Sequence, residues 1–436
     1  MGCSSSANHV GQPCTEIEVV KDFHDQYLLG VKLGRGAFAQ VRIATRVDDE
    51  RLSSGSSTER AAKILDLRDK EKPGESSRSL QKAAYNEATV WKLIGSSPYC
   101  VRLYDLFYST EFCYMVMEKC SCGLLNFFEA KEVFNERFLG AVFGQMIMGI
   151  THTHSVKVVH RDVKPDNFLV GGENGETIKL GDFGLSCALP KQGKLTGVYG
   201  TAPFMCPEML GGRCYDEKAD VWSLGVIAYV LLFGNFPYMP KEQSSKGMKQ
   251  AILEGAVPPK YEPAVKSSSV NAQYRSENAV TFIRTLLNRE PEQRPEAAEC
   301  LNLTYVMQAL DDTQTTNADL PSLRPMLHMS KKVGAFEVRD PSRETGIDPI
   351  LNDLQLKRHG KPLPETKPAG SKPPGDKKEK SRSGTAQEMI SVSSNRSTAC
   401  SRSDIGASSG STQNWGKAGS VWSKNSIVSP HSSGLS

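Results

Sequence analysis

The sequence predicts an α+β chain of two lobes, a small antiparallel sheet carrying one helix followed by a larger, mainly helical body. Three observations point there. Residues 27–31, 41–44 and 61–65 are short, strand-like runs separated by glycine-rich or polar stretches, which read as strands of a twisted antiparallel sheet. Leu80, Ala84, Glu87, Val90, Trp91 and Ile94 recur at mixed three- and four-residue steps, the period of an amphipathic helix. Helical patterns then dominate residues 134–153 and 221–233.

At 436 residues the chain exceeds one ordinary compact domain. Its 39% hydrophobic and 8% aromatic content supplies a substantial core, and a formal net charge of +4 is too small for nucleic-acid binding as the main activity. The 11 cysteines show no paired metal-ligand spacing. Cys120 and Cys122 offer two thiolates where a structural zinc site takes four ligands. No secretory segment is recognised, so the cysteines read as reduced thiols, and no apolar run of about 18 residues offers a membrane span.

In chain order, Met1-Gly2-Cys3-Ser4-Ser5-Ser6 fits the N-myristoylation pattern, with Gly2 as acceptor and Cys3 beside it for palmitoylation. Two acyl chains hold a membrane where one binds only marginally. An unmodified polar terminus is the other reading of these residues. Residues 48–60, rich in serine and charge, read as a solvated hairpin loop. Past Val306 aromatics become scarce, and from Lys357 onward Lys, Ser, Pro and Gly prevail, the composition of disorder. Lys357, Arg358, Lys361, Lys367, Lys372, Lys377, Lys378, Lys380 and Arg382 suit either an anionic membrane surface or a solvated linker.

The chemistry begins with Leu33-Gly34-Arg35-Gly36-Ala37-Phe38-Ala39-Gln40-Val41, which follows the order Gly-x-Gly-x-x-Gly-x-Val except that Ala39 replaces the third glycine. Glycines let backbone N–H groups approach phosphate oxygens closely, whereas a plain hairpin turn is the alternative for this run alone. A dinucleotide fold would open a helix here, and the returning strand at 41–44 argues against one. Lys63 projects from an apolar strand where an unpaired ammonium is costly to bury. Phosphate oxygens and Glu87, on the inner face of the following helix, are its expected partners, and the bland alternative is a lysine reaching water from a strand edge.

The most specific segment is His160-Arg161-Asp162-Val163-Lys164-Pro165-Asp166-Asn167, followed by Asp182-Phe183-Gly184. On these residues the chain resembles the eukaryotic serine/threonine protein kinase family, most of all the calcium/calmodulin-dependent and calcium-dependent kinases of protists and plants. The resemblance covers residues 27–306 and implies a two-lobed kinase fold, with a sheet lobe at 27–117, a hinge at 118–120 and a helical lobe at 121–306. Residues 1–26 are then a flexible acylated anchor and 307–436 a mostly disordered tail. ATP and Mg²⁺ are implied as cofactors and protein Ser/Thr hydroxyls as acceptors. Asp162 is implied to orient the hydroxyl and take its proton, Lys164 to stabilise the transferring phosphate, and Asn167 and Asp182 to hold Mg²⁺. The nucleotide-binding set comprises residues 33–41, Lys63, Glu87 and, at the hinge, Glu118 and Cys120.

Outside the site, the resemblance implies a buried ion pair between Glu208 and Arg294, and Asp220 bracing the catalytic loop. His160 is a structural support, and Thr201 matches the position that contacts Asp162 and Lys164. Cys206 replaces a more usual alanine. Two departures are visible: no Asp-x-Asp-x-Asp-Gly calcium loop occurs, and Leu124 stands where many basophilic relatives carry an acidic partner for a substrate arginine. Arg161 suits a phosphate placed between Leu185 and Thr201, with Thr196 the favoured acceptor. The expected whole is a monomeric, lipid-anchored kinase at the cytoplasmic face of the plasma membrane or another membrane, with a cytoplasmic pool. Its rival is a catalytically silent kinase-like scaffold.

Overall fold

The computed structural model describes residues 22–35, 39–48, 59–69, 71–72, 74–242, 244–264, 275–311, 322–332 and 346–364. The acyl acceptors Gly2 and Cys3, glycine-run residues Gly36, Ala37 and Phe38, most of the 48–60 loop, and the lysines from Lys367 onward lie outside them.

Five strands form the expected sheet. These are β1 (Tyr27–Arg35), β2 (Ala39–Arg46), β3 (Arg60–Asp66), β4 (Leu103–Tyr108) and β5 (Phe112–Glu118), paired antiparallel in the order β1-β2-β3-β5-β4. Strand alternation splits β3: Ala61 packs into the core shared with the helical lobe, whereas Ala62 and Ile64 join a second cluster on the opposite face. Lys63 has the parity of Ala61 and so lies on the interlobe side. Helix α2 (Arg78–Ile94) begins two residues before the spacing predicts and buries Ala84, Glu87, Ala88, Val90, Trp91 and Ile94.

The rear lobe is helical, as expected. It contains α3 (Leu124–Ala130), α4 (Glu136–Ser155), α5 (Pro207–Leu210), α6 (Lys218–Phe233), α7 (Ser245–Glu254), α8 (Glu277–Leu286), α9 (Ala297–Cys300) and α10 (Thr304–Leu310). Short strands β6 (Cys122–Gly123), β8 (Phe168–Gly171) and β9 (Thr177–Leu180) pair in the order β6-β8-β9, while β7 (Val158–Val159) pairs with β10 (Cys187–Ala188). The α6 sequence has no polar stripe because the helix is buried on every side from Ala219 to Phe233. At Gly140 a Cβ would lie 2.5 Å from that of Ala309, so this glycine sets how closely α10 approaches α4.

The ordered chain extends beyond the expected boundaries at both ends. The short helix α1 (Phe23–Gln26) lies within the segment read as a flexible anchor, and α11 (Arg324–Lys332) and α12 (Asp348–His359) lie within the segment read as mostly disordered. Leu323, Met326 and Leu327 are buried at helical spacing, and the Ser330 hydroxyl donates to the α6 carbonyl of Val230 at 2.9 Å. Ile347 and Leu351 are fully buried on the outer face of the five-stranded sheet, with Ile350 and Leu354 packed beside them. Burying each of the first two is worth about 1.5–3 kcal/mol. Local composition suggested disorder, but an apolar sheet face supplies the burial that the segment needs to order.

His24 of α1 is 2% exposed beneath this cover. Burial pushes its imidazole down to about 4, with His359 and Arg358 acting in the same direction and Asp22 and Asp25 opposing them. A base depressed in the fold is protonated more readily when unfolded, so stability falls as pH drops from about 6.5 toward 4. The expected slope from His24 is about 1.4 kcal/mol per pH unit within that window. Denaturant unfolding of the native chain and His24→Leu across pH 4–7 checks this, the variant losing that part of the slope.

Candidate functional site

Lys63 reaches the cleft from β3, and its Nζ donates to Glu87 Oε1 at 2.6 Å and to Asp182 Oδ1 at 2.7 Å. One cation thus joins the sheet, α2 and the segment after β9. Burial alone would lower the ammonium's pKa, but the two carboxylates outweigh it and keep Lys63 charged. Burial pushes the Glu87 carboxyl up against the pull of Lys63, while Lys63 holds Asp182 down to about 2. With its pKa lowered, Asp182 contributes its stabilisation in full above its ordinary 3.8 and loses it as pH falls toward 2.

Asp162 sits in a second cluster. Its carboxylate receives hydrogen bonds from Lys164 Nζ at 2.8 Å and Thr201 Oγ1 at 2.7 Å, and Lys164 also reaches Thr201 at 3.0 Å. Asn167 Nδ2 donates to the Asp162 carbonyl at 2.8 Å and its carboxylate at 3.3 Å, leaving the amide oxygen as the free acceptor of that side chain. Asp220 holds the loop from below by accepting from the backbone N–H groups of His160 and Arg161, each at 2.8 Å, and from His154 Nε2 at 2.9 Å. These bonds support Arg161 at φ 67°, in the left-handed region that non-glycine residues seldom occupy.

A packed column connects the clusters. Phe183 packs between Trp91 of α2, tilted against it, and His160, edge-on to it, with ring centroids 5.4 and 5.5 Å apart, and His160 Nε2 pairs with the Gly181 carbonyl at 3.1 Å. His160 is therefore engaged structurally, beneath the site. The buried pair of Arg294 and Glu208 is present at 2.8 Å, with further Arg294 donations to the Asn288 and Lys218 carbonyls.

At the connection between the lobes, Glu118 is tied to Lys179 at 3.0 Å, and its N–H donates to Arg102 at 2.9 Å. The Cys120 N–H has no acceptor among the described residues and can meet an acceptor on a flat ring. Burial pushes the Cys120 thiol up to about 12, so it behaves as a neutral packing group. Leu33, Gly34 and the Arg35 backbone end β1, while Ala39, Gln40 and Val41 open β2. Ala39 and Gln40 are buried, with Gln40 on the outer side of the sheet by its parity with Arg42 and Ala44. Leu124 is completely buried and offers nothing to a substrate.

Asn167 and Asp182 supply hard oxygen donors, and among the described residues no group of three His, Cys, Asp or Glu forms a metal cage. That donor set fits a divalent metal that draws its remaining ligands from phosphate and water.

Residues 27–306 match the family model described as the protein kinase domain. The chain belongs to the protein kinase family. A probable myosin light chain kinase of Dictyostelium discoideum is 33% identical over 321 residues, covering 73% of this chain and 82% of that protein. Serine/threonine-protein kinase 17A of Oryctolagus cuniculus is 29% identical, covering 70% of this chain and 74% of the relative. Calcium-dependent protein kinase 4 of Arabidopsis thaliana is 30% identical, covering 70% of this chain and 58% of its own. With these relatives the chain is a serine/threonine protein kinase, and its domain implies the use of ATP with a divalent metal.

Two arrangements in this kinase were not legible beforehand. The Arg161 guanidinium lies 4.1 Å from the Tyr199 ring centroid and donates through Nε to the Leu185 carbonyl at 2.6 Å. Thr196, the favoured phosphate acceptor, is exposed nearby in sequence, but Arg161 already has these partners. Trp91 also enters the column through Phe183, and only its four-residue step from Glu87 hinted at that.

Replacing Lys63 with methionine leaves the buried Glu87 carboxylate without its cation. Lys63→Met is expected to lower unfolding stability by about 3–5 kcal/mol and to weaken nucleotide binding. Denaturant titration and calorimetric titration with a non-hydrolysable ATP analogue check the two effects separately.

Proposed function

We propose that this kinase transfers the terminal phosphoryl group of ATP to serine and threonine hydroxyls of protein substrates, with Mg²⁺ as its metal. The observation that carries the reading is the Asp162 carboxylate, held in place by hydrogen bonds from Lys164, Thr201 and Asn167. An acceptor hydroxyl that displaces the Thr201 contact delivers its proton to Asp162 as its oxygen bonds phosphorus and the bond to the bridging oxygen of ATP breaks. Lys164, already beside Asp162, carries positive charge to that point. Lys63, kept charged by Glu87 and Asp182, holds phosphate oxygens, and Leu33, Gly34, Ala39 and Val41 bound the nucleotide from the sheet. Backbone groups at Glu118 and Cys120 read the adenine edge. Asn167 and Asp182 would hold Mg²⁺, which would neutralise phosphate charge when bound.

Replacing Asp162 with alanine removes the proton acceptor while leaving nucleotide contacts in place. Transfer of labelled phosphate to a generic protein substrate is expected to fall by about 10²–10⁴-fold in Asp162→Ala. Equal, background-level transfer by native chain and variant would instead make this a silent scaffold.

The reading places the kinase at a membrane, anchored by myristate on Gly2 and palmitate on Cys3, as a monomer that signals from the cytoplasmic face. The basic tail contributes less than its composition suggests, because Arg358 bonds Asp22 and Asp25, and Lys357 pairs with Asp353. Gly2→Ala is expected to shift the protein into the soluble fraction of lysed cells, and unchanged sedimentation with membranes counts against acylation.

A further inference from the structure

Among the described residues, the strand that leads into the glycine run has no neighbouring strand on one side. β1 is the outermost strand of its sheet, and its pairing with β2 is irregular between Leu29 and Gly34, just before the glycines. An edge strand with slipped register has unpaired backbone groups and little to fix its course.

Helix α12 supplies what is missing. The buried Gln355 amide accepts from the Leu29 N–H at 2.7 Å and donates to the Leu29 carbonyl at 3.1 Å, standing in for one residue of an absent neighbouring strand. Asp348, at the other end of the helix, pairs with Lys32 and with Arg42 Nη2, the latter at 2.9 Å. The same guanidinium donates through Nη1 to the Gly30 carbonyl at 2.7 Å. Thus Leu29, Gly30 and Lys32, the residues leading into Leu33 and Gly34, are each held by α12 directly or through Arg42. The spacing agrees: seven helical residues rise about 10 Å, and three strand residues advance about 10 Å. The helix therefore lies antiparallel to β1. Past Gln355, Arg358 bonds Asp22 and Asp25, and His359 reaches the His24 carbonyl, continuing the same register.

We propose that α12 is a positioning element for the nucleotide-clamping hairpin, with Gln355 and Asp348 setting the course of β1 and hence of the glycine run above bound ATP. This rests on the reading of residues 33–41 as an ATP clamp. Gln355 and Asp348 act through β1 and touch neither nucleotide nor acceptor. Because the hairpin binds ATP while Asp162 and Lys164 lie in the other lobe, loosening it is expected to act on ATP affinity and to spare turnover at saturation.

The test uses the full chain and three substitutions. Gln355→Leu keeps the volume and removes both bonds to Leu29, Asp348→Asn removes the charge at a half-exposed position, and Leu351→Ala loosens the packing of α12 without touching β1's polar partners. Gln355→Leu and Asp348→Asn are expected to raise KM for ATP and Kd for a non-hydrolysable ATP analogue about 3–10-fold, with kcat within about twofold of native. Faster amide exchange across residues 27–35 should accompany the change. Leu351→Ala, matched to Gln355→Leu in lost melting temperature, is expected to move KM less. Unchanged KM and Kd in folded Gln355→Leu and Asp348→Asn, or KM changes that track melting temperature across all three, overturns the positioning role. Native chain that binds the analogue while both variants bind it equally well refutes this inference alone. Native chain that neither binds it nor transfers phosphate refutes the proposed function and this inference with it.

Discussion

The structure hangs on one ammonium group. Lys63 leaves a strand whose neighbours are apolar, and its charge is tolerable only because Glu87 and Asp182 approach it together. Those carboxylates come from α2 and from the segment following β9, so satisfying one cation fixes the helix against the sheet and the rear lobe against both. Loss of Lys63 leaves the buried Glu87 without its cation, whereas loss of either carboxylate leaves Lys63 paired with the other. The Trp91–Phe183–His160 column runs beside this link and adds packing to the same alignment.

The rear half of the site is rigid for a different reason. Asp220, fully buried, donates nothing and accepts three hydrogen bonds, two of them from the backbone of the loop carrying Asp162. Burial would raise its pKa, but these bonds reverse the shift and keep the carboxylate ionised. The strained φ of Arg161 is sustained by that anchor. At Gly200, φ 104° and an Arg161 carbonyl 2.4 Å from any added Cβ show how closely the Thr201 segment is drawn onto the same loop. The hold on Asp162 and the hold on β1 are thus built from different parts of the chain.

The docked C-terminal segment shows where sequence reading fell short. Ile347, Ile350, Leu351 and Leu354 have the spacing of a helix face, Pro349 lies at its start, and Gly360 closes it at φ 65°. The signal was present but weak against a background of Lys, Pro and Ser. A second clue lay far away in the chain: β5 is buried continuously from Phe112 to Met117, as a strand covered on both faces must be. Neither clue shows what covers the outer face, because a sheet's need for a partner does not identify the partner.

The sequence by itself pointed to the two-lobed class and to helices α2, α4 and α6 within a few residues, and its resemblance to the protein kinases singled out Lys63, Glu87, Asp162, Lys164, Asn167 and Asp182. The helices are encoded locally by periodicity, and the site residues lie in short runs that match the family's motifs. Tertiary structure alone decided that Arg161 is taken up by Tyr199 and Leu185, that Leu124 is buried away from any substrate, and that Gln355 completes a strand 326 residues earlier in the chain. Such contacts depend on which surfaces are left uncovered once the elements have packed, and no local pattern carries that information.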